Sequence, residues 1–363
     1  MKRFLSWVLL CSALLGLWGC ASGQPEPATA QPSTVSTEAP TEAPTEAPAE
    51  TQPQGNLYLT VSSVTFSLVG ETEDIYMGLV PRDQVTWESD DPGVVSVENG
   101  ILTATGVGTT TVRATCGDRQ VACTAGCLAQ TREELESLGD EILTKPKRTV
   151  PQVDLETPCT FYDRSVLVGD SIALMMIQNE SEGDYLGDLL VLARNGSSLM
   201  GYLKYVKNVF YQGREMHLED AVAQSGADCM YILIGSNDLA DSGNRASYMS
   251  NWEVLLDRLR ETAPDVEMVV LSNLPRCRTA RKSKAIPVEM YNGLVAEYNP
   301  QLEQFCRDHG CTYLNIARYI EDHRGSMALE YNHDGHHMNR EGYLQWIKFM
   351  RYYAQYKLEG GTL

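Results

Sequence analysis

The feature that most constrains this fold is an alternation of short apolar runs with helical patterns, from about residue 161 to the C-terminus. Each run has the length and aliphatic content of a buried strand, and apolar residues recur between several of them at helical spacing. The predicted strands are 165–168, 189–193, 230–234, 268–271 and 312–316. The pattern predicts an α/β three-layer, doubly wound domain over residues 161–363, with a parallel five-stranded sheet covered by helices on both faces.

Residues 56–127 have a different texture, with short Val- and Thr-rich segments that are broken by turn sequences such as Asp90-Asp91-Pro92-Gly93. This texture predicts a small all-β sandwich. The stretches 85–90, 94–97 and 100–109 resemble a group 2 bacterial Ig-like domain. Domains of that group are mostly spacers or adhesive modules on cell surfaces. We interpret Trp87 as a core residue rather than a platform for sugars.

The N-terminus has the pattern of a secretory signal peptide. Two basic residues precede an apolar run, 4–18, that is too short to span a bilayer. The run ends in Leu-Trp-Gly-Cys at 17–20, which resembles the lipobox of bacterial lipoproteins. The resemblance implies a signal peptide over 1–19 and a lipid on Cys20 that anchors the chain to the membrane. The protein would then lie on the outer face of the bacterial cytoplasmic membrane, at the cell surface; plain secretion with a free Cys20 is the alternative.

Two further segments link these parts of the chain. Residues 20–55 are rich in Pro, Thr, Ala and Glu and contain a repeated Thr-Glu-Ala-Pro. Such a composition cannot bury enough apolar surface to offset the entropy of folding, so a disordered tether is predicted. Residues 128–160 are predicted to form a connector with one short helix, 131–143, before the α/β domain begins.

Net charge and cysteine content limit which partners, disulfides and metals can be expected. The formal net charge of −19 repels nucleic acid, so no nucleic-acid partner is expected. Export permits disulfides: Cys116 and Cys123 could face each other across a hairpin, and Cys306 and Cys311 flank a short turn. Buried free thiols are the open alternative. No cysteine pair shows metal-ligand spacing with histidines, so we predict no metal site.

Polar motifs follow four of the five predicted strands. They are Gly169-Asp170-Ser171, Asn195-Gly196-Ser197, Gly235-Ser236-Asn237-Asp238 and Asp334-Gly335-His336-His337. Ligands of doubly wound sheets bind beyond the carboxyl ends of the strands, where these motifs would meet. Together they supply the parts of an acyl-transfer site: a nucleophile, a base, a carboxylate that orients the base and donors for an oxyanion.

Taken together and in this order, the motifs resemble the SGNH (GDSL-like) hydrolase family over about residues 161–355. The resemblance implies a flavodoxin-like fold and a serine esterase that needs no cofactor. It makes Ser171 the nucleophile, His337 the base and Asp334 the residue that orients the base. The oxyanion hole would consist of the backbone N–H groups of Ser171 and Gly196 and the side-chain amide of Asn237.

Some assignments stay open at this stage. His333 and His336 are alternative bases, although the spacing from Asp334 favours His337. Asp170 and Asp238 are interpreted as carboxylates that accept hydrogen bonds from backbone N–H groups in their turns.

The expected substrate is an ester, and an acetylated polysaccharide is favoured because the chain is predicted to stand at the cell surface. A basic run at 276–284 follows the fourth strand, and its Arg278, Arg281 and Lys282 would draw an anionic polymer to the rim of the site. A solvated loop is the alternative to that role. Two rival functions remain: a non-catalytic glycan-binding adhesion lipoprotein with a vestigial site, and a solute-binding lipoprotein, which would need two α/β lobes.

Overall fold

The computed structural model describes residues 55–180, 184–204, 209–279 and 286–362. Cys20, Arg281 and Lys282 lie outside the described residues, as do the predicted signal peptide and the tether up to residue 54. Within the described ranges, no helix has both the length and the apolar character needed to cross a membrane.

The N-terminal part of the described chain consists of eight strands, most of them short and Val- and Thr-rich. They are β1 (Ser63–Leu68), β2 (Thr72–Asp74), β3 (Thr86–Ser89), β4 (Val95–Glu98), β5 (Ile101–Ala104), β6 (Gly108–Cys116), β7 (Arg119–Ala129) and β8 (Arg148–Thr149). One sheet has the order β3-β6-β7-β1-β8 and a second has the order β2-β5-β4. The strand-rich character is as predicted, and the identity of this part as an Ig-like domain stays a prediction.

The long hairpin of β6 and β7 decides one expectation about cysteines. Its register places Cys116 opposite Arg119 and Cys123 opposite Val112. The prediction that the two cysteines face each other is therefore wrong, because a two-residue turn sets the register. All eight cysteines within the described ranges, including Cys306 and Cys311, are free thiols.

The predicted connector, 128–160, contributes ordered structure to the N-terminal part. It holds two short helices, α1 (Arg132–Ser137) and α2 (Asp140–Leu143), in place of the single predicted helix. Gly139 separates them with a φ of 74°, a left-handed value that ends a helix. Strand β8 lies further along the same segment and pairs antiparallel with β1.

The C-terminal part is built on a sheet of five parallel strands, as predicted. The strands are β9 (Ser165–Gly169), β10 (Leu190–Ala193), β13 (Cys229–Leu233), β14 (Glu267–Leu271) and β15 (Thr312–Leu314). Their order is β10-β9-β13-β14-β15, so the chain reverses direction across the sheet beside β9. In doubly wound sheets such a reversal opens a crevice at the carboxyl ends of the strands. A separate ribbon of β11 (Val209–Tyr211) and β12 (Arg214–Met216) lies between β10 and β13 in the chain.

Helices cover both faces of the parallel sheet. One face packs against α3 (Ser171–Glu180) and α10 (Arg340–Leu358). The other face packs against α4 (Leu199–Lys204), α5 (Leu218–Ser225), α8 (Tyr248–Thr262) and α9 (Val288–His309). Two short helices, α6 (Ser236–Ala240) and α7 (Ser242–Arg245), follow β13. Strand residues alternate between the two cores: Leu167 contributes to the first, and Val166 and Val168 contribute to the second.

The N-terminal strands share a continuous hydrophobic core with the α3 and α10 layer. Tyr58 packs edge-on against Tyr352 and Tyr356 of α10, at ring-centroid distances of 5.3 and 5.5 Å. The Tyr319 hydroxyl donates to the carbonyl of Thr60 at 2.7 Å. The described residues, from 55 onward, accordingly belong to one compact unit.

Candidate active site

Ser171 is the first residue of α3 and follows β9 through a tight turn. The turn requires glycine at position 169, because a Cβ there would lie 2.5 Å from both the Ala173 Cβ and the Leu233 carbonyl oxygen. The turn places the Ser171 hydroxyl at the carboxyl edge of the sheet, where its Oγ lies 2.9 Å from Nε2 of His337.

His337 and Asp334 lie on one loop before α10, and their side chains meet. The Nδ1 of His337 lies 2.8 Å from Oδ2 of Asp334. The other carboxylate oxygen, Oδ1, accepts the backbone N–H groups of His336 at 2.9 Å and His337 at 2.7 Å. Partial burial would raise the pKa of Asp334, but these hydrogen bonds outweigh it and hold the pKa well below its usual value. An ionised Asp334 fixes the Nδ1–H tautomer and leaves Nε2 to accept the proton of Ser171.

The loop that carries His337 is held against the segment that follows β14. The backbone N–H of Cys277 donates to the Gly335 carbonyl at 3.0 Å, and Asn332 Nδ2 donates to Thr279 Oγ1 at 3.2 Å. His333 is exposed, and its backbone N–H donates to the carbonyl of His337 at 3.0 Å. Of the three candidate bases, only His337 forms a hydrogen bond with Ser171 in the described part of the chain.

The three predicted oxyanion donors come from the ends of three neighbouring strands. Among the described residues, the backbone N–H groups of Ser171 and Gly196 donate to no protein acceptor. Gly196 is exposed and has a φ of 71°, a conformation that favours glycine. The Asn237 amide donates to the Ser197 carbonyl at 2.7 Å and lies 3.4 Å from Asp170 Oδ2. Because an amide nitrogen carries two hydrogens, the second is held only by that long contact.

Asp170 and Asp238 are buried and fix the loops around Ser171. Asp170 accepts the backbone N–H of Ile172 at 2.9 Å and the hydroxyl of Ser236. Asp238 accepts the backbone N–H groups of Leu199 at 2.8 Å and Met200 at 3.1 Å, so it caps α4 rather than its own turn. Burial raises the pKa of Asp238 to about 6, although those N–H groups act to lower it. The loops of Gly196 and Asn237 are thus joined by buried hydrogen bonds.

The basic run after β14 does not form a uniformly solvated loop. Arg276 is only 5% exposed, and its guanidinium lies 3.9 Å from the ring centre of Tyr291. Its Nε donates to Nδ1 of His336 at 3.2 Å. Arg278 is exposed, and its charge acts on the carboxylates of Asp140 and Asp322. The inward position of Arg276 could not be predicted, because nothing in the local sequence distinguishes it from the other cations.

Comparison with known proteins identifies the C-terminal part. A family model described as the GDSL-like Lipase/Acylhydrolase family matches residues 167–344. No curated protein matches the chain. No cluster of three or more His, Cys, Asp or Glu side chains that could hold a metal occurs within the described ranges.

Solved structures similar to this chain include three from bacteria. A GDSL-like lipase from Bacteroides thetaiotaomicron is 14% identical, with 56% of this chain and 93% of that chain covered and a TM-score of 0.45. A putative acylhydrolase from Bacteroides fragilis is also 14% identical, with coverages of 56% and 92% and a TM-score of 0.44. A carbohydrate acetylesterase family member from Sinorhizobium meliloti is 18% identical, with coverages of 54% and 99% and a TM-score of 0.38. On the family match, residues 167–344 form a GDSL-like lipase/acylhydrolase (SGNH) domain, and the protein is a serine esterase.

Proposed function

We propose that the protein removes O-acetyl groups from a carbohydrate polymer through an acyl-enzyme on Ser171. The observation that carries the catalytic part is the continuous hydrogen-bonded line from Asp334 through His337 to the Ser171 hydroxyl, with contacts of 2.8 and 2.9 Å. His337 takes the proton as Ser171 Oγ attacks the ester carbonyl, and it then returns that proton to the departing alcohol. Water, activated by the same imidazole, hydrolyses the acyl-enzyme.

The developing oxyanion would be bound by the backbone N–H groups of Ser171 and Gly196 and by the Asn237 amide. Two of these donors have no acceptor among the described residues of the protein, so they need no rearrangement there when charge develops. The third, Asn237, would exchange its long contact to Asp170 for the oxyanion.

Two features of the rim favour a hydrophilic polymer as the substrate. The Asp334 side chain is 47% exposed. The catalytic triad therefore lies near the surface, where an internal unit of a polymer can reach it. Arg194 and Asn195, beside Gly196, are exposed polar residues that suit sugar hydroxyls. A lipid anchor at Cys20 would place the enzyme among polymers at the cell surface.

Assays of the purified chain with p-nitrophenyl acetate and its longer-chain homologues test the activity and the acyl length together. Ser171→Ala and His337→Ala should each lower kcat by more than about a thousandfold. His336→Ala should keep activity on p-nitrophenyl acetate, and all three variants should keep the wild-type melting temperature within a few degrees. A wild-type chain that hydrolyses none of these esters, but binds glycans, would instead support the non-catalytic adhesion function.

The anchor is tested separately in cells. Labelled palmitate should enter the wild-type protein and not the Cys20→Ser variant, and that variant should be released from the membrane fraction. Absence of label from the wild type would contradict lipidation, whatever the fractionation result.

A further inference from the structure

Beside the catalytic triad lies a second imidazole, that of His336, which the proposed mechanism does not use. The rings of His336 and His337 meet edge-on with centroids 4.7 Å apart. His336 Nδ1 accepts the hydrogen bond from Arg276 Nε at 3.2 Å. A guanidinium can only donate, so Nδ1 must be unprotonated and the ring hydrogen must sit on Nε2.

The packing of Arg276 holds its guanidinium in place and so fixes this tautomer of His336. Its guanidinium is packed on the Tyr291 ring, its backbone N–H donates to Asn292 Oδ1 at 2.8 Å, and its carbonyl accepts from Asn292 Nδ2 at 2.9 Å. The Nη1 atom is buried and has no partner among the described residues, so Arg276 holds His336 at a cost in desolvation.

The opposite ring nitrogen of His336 remains available. Nε2 makes no hydrogen bond within the described chain, and it is not among the unpartnered atoms sealed from solvent. Burial and the neighbouring charge of Arg276 lower the pKa of His336 to about 4, so the ring is neutral near pH 7. The site therefore presents one fixed, uncharged N–H donor next to the base.

Strand order indicates which part of an ester this donor would meet. The proposed oxyanion donors follow β10, β9 and β13, whereas Arg276 follows β14, on the other side of β13 from Ser171. His336 is also adjacent to His337, the group that returns a proton to the leaving alcohol. The donor thus lies on the opposite side of Ser171 from Gly196, next to the residue that would return a proton to the leaving alcohol.

We propose that His336 is a specificity residue whose Nε2–H binds a hydroxyl, ring or glycosidic oxygen on the alcohol side of the ester, and that Arg276 is the positioning residue that selects this tautomer. The inference rests on the proposed esterase function and deepens it, because it names an oxygen-rich alcohol, such as a sugar, as the part recognised. The contact leaves the acyl transfer itself unchanged.

A matched pair of substrates tests the proposal: an acetylated methyl glycoside and cyclohexyl acetate, which has a ring of the same size without the extra oxygens. His336→Phe keeps an aromatic ring and removes the donor. It should raise KM for the glycoside about tenfold, change kcat less than about twofold and leave cyclohexyl acetate unaffected. His336→Gln places an amide N–H near the position of Nε2 and should restore KM to within about threefold of the wild-type value.

The role of Arg276 has a spectroscopic readout. In ¹⁵N-histidine NMR spectra near pH 7, His336 should show an unprotonated Nδ1 and a protonated Nε2, and Arg276→Met should move both signals toward tautomeric averaging. Equal losses on both substrates in His336→Phe, or unchanged kinetics on both, would overturn the proposal while leaving the esterase function intact. A wild-type chain inactive on every acetate would contradict the esterase function, and this inference with it.

Discussion

Glu73 of β2 and Arg318 form an ion pair across 245 positions of the chain. The Glu73 carboxylate is 9% exposed and also accepts hydrogen bonds from Nε and Nη2 of Arg148, at 2.9 and 2.7 Å. Burial would raise the pKa of Glu73, but the two guanidinium groups outweigh it and lower the pKa. One ionised acid therefore joins the N-terminal sheets to the α/β part.

Replacing this acid should weaken the whole described unit. Glu73→Gln leaves two largely buried guanidinium groups without their counterion, so we expect the free energy of unfolding to fall by about 3–5 kcal/mol. Urea denaturation at pH 7 measures it. The control is Asp228→Asn in the exposed Arg164–Asp228 pair, which should leave the free energy of unfolding nearly unchanged because solvent screens that pair. Equal effects of the two substitutions would contradict the role of Glu73.

Asn237 provides a test of the oxyanion hole. Asn237→Ala removes the side-chain donor, and we expect kcat for p-nitrophenyl acetate to fall by about a hundredfold to a thousandfold with little change in KM. The matched control is Asn244→Ala, which removes a weak contact to Ser198 in the neighbouring loop, 3.5 Å long. A loss in Asn237→Ala no larger than in Asn244→Ala would assign Asn237 to loop support alone.

Asp238 should give the protein a characteristic dependence of stability on pH. Its folded pKa of about 6 lies above the value of about 3.9 expected in the unfolded chain. The folded state then binds more protons between these values, so this contribution is full below about pH 4 and is lost as the pH rises through about 6. Relative to Asp238→Asn, the wild type should lose roughly 2–3 kcal/mol of unfolding free energy across this window. Denaturation curves at pH 4, 5, 6 and 7 measure the difference. Parallel pH profiles would show that folding does not raise the pKa of Asp238.

The basic run offers a prediction about the substrate's charge. Replacing Arg278, Arg281 and Lys282 by Ser should raise KM for an acetylated acidic glycan and make that KM less dependent on salt, because steering by charge weakens with ionic strength. Hydrolysis of p-nitrophenyl acetate should not change. Losses on both substrates would point to a structural role of the loop, and no loss on either would support a solvated loop.

Local patterns predicted the α/β part well because buried parallel strands are continuous apolar runs. All five strands lie within two residues of their predicted positions, and the residues at their ends meet as the rules for doubly wound sheets require. That topology brings the Ser171 turn and the His337 loop to the same edge, and the contacts of the His337 loop with the segment after β14 complete the placement.

The features that escaped prediction depend on contacts distant in sequence. The cap that Asp238 places on α4 and the inward turn of Arg276 toward His336 are set by neighbouring loops, which local composition does not report. The register that separates Cys116 from Cys123 depends on the length of one turn, and a change of one residue would alter it.

The shared core between the N-terminal strands and α10 has a mechanical consequence. Linkers between domains usually let the domains move relative to one another. Here the pairing of β8 with β1 and the Glu73 ion pairs hold residues 128–160 in place, so this segment does not act as a flexible linker. If residues 20–55 act as the predicted tether, the N-terminal β-sheets and the active site move together at its end. If Cys20 also carries the predicted lipid, the length of that tether sets how far from the membrane Ser171 can act.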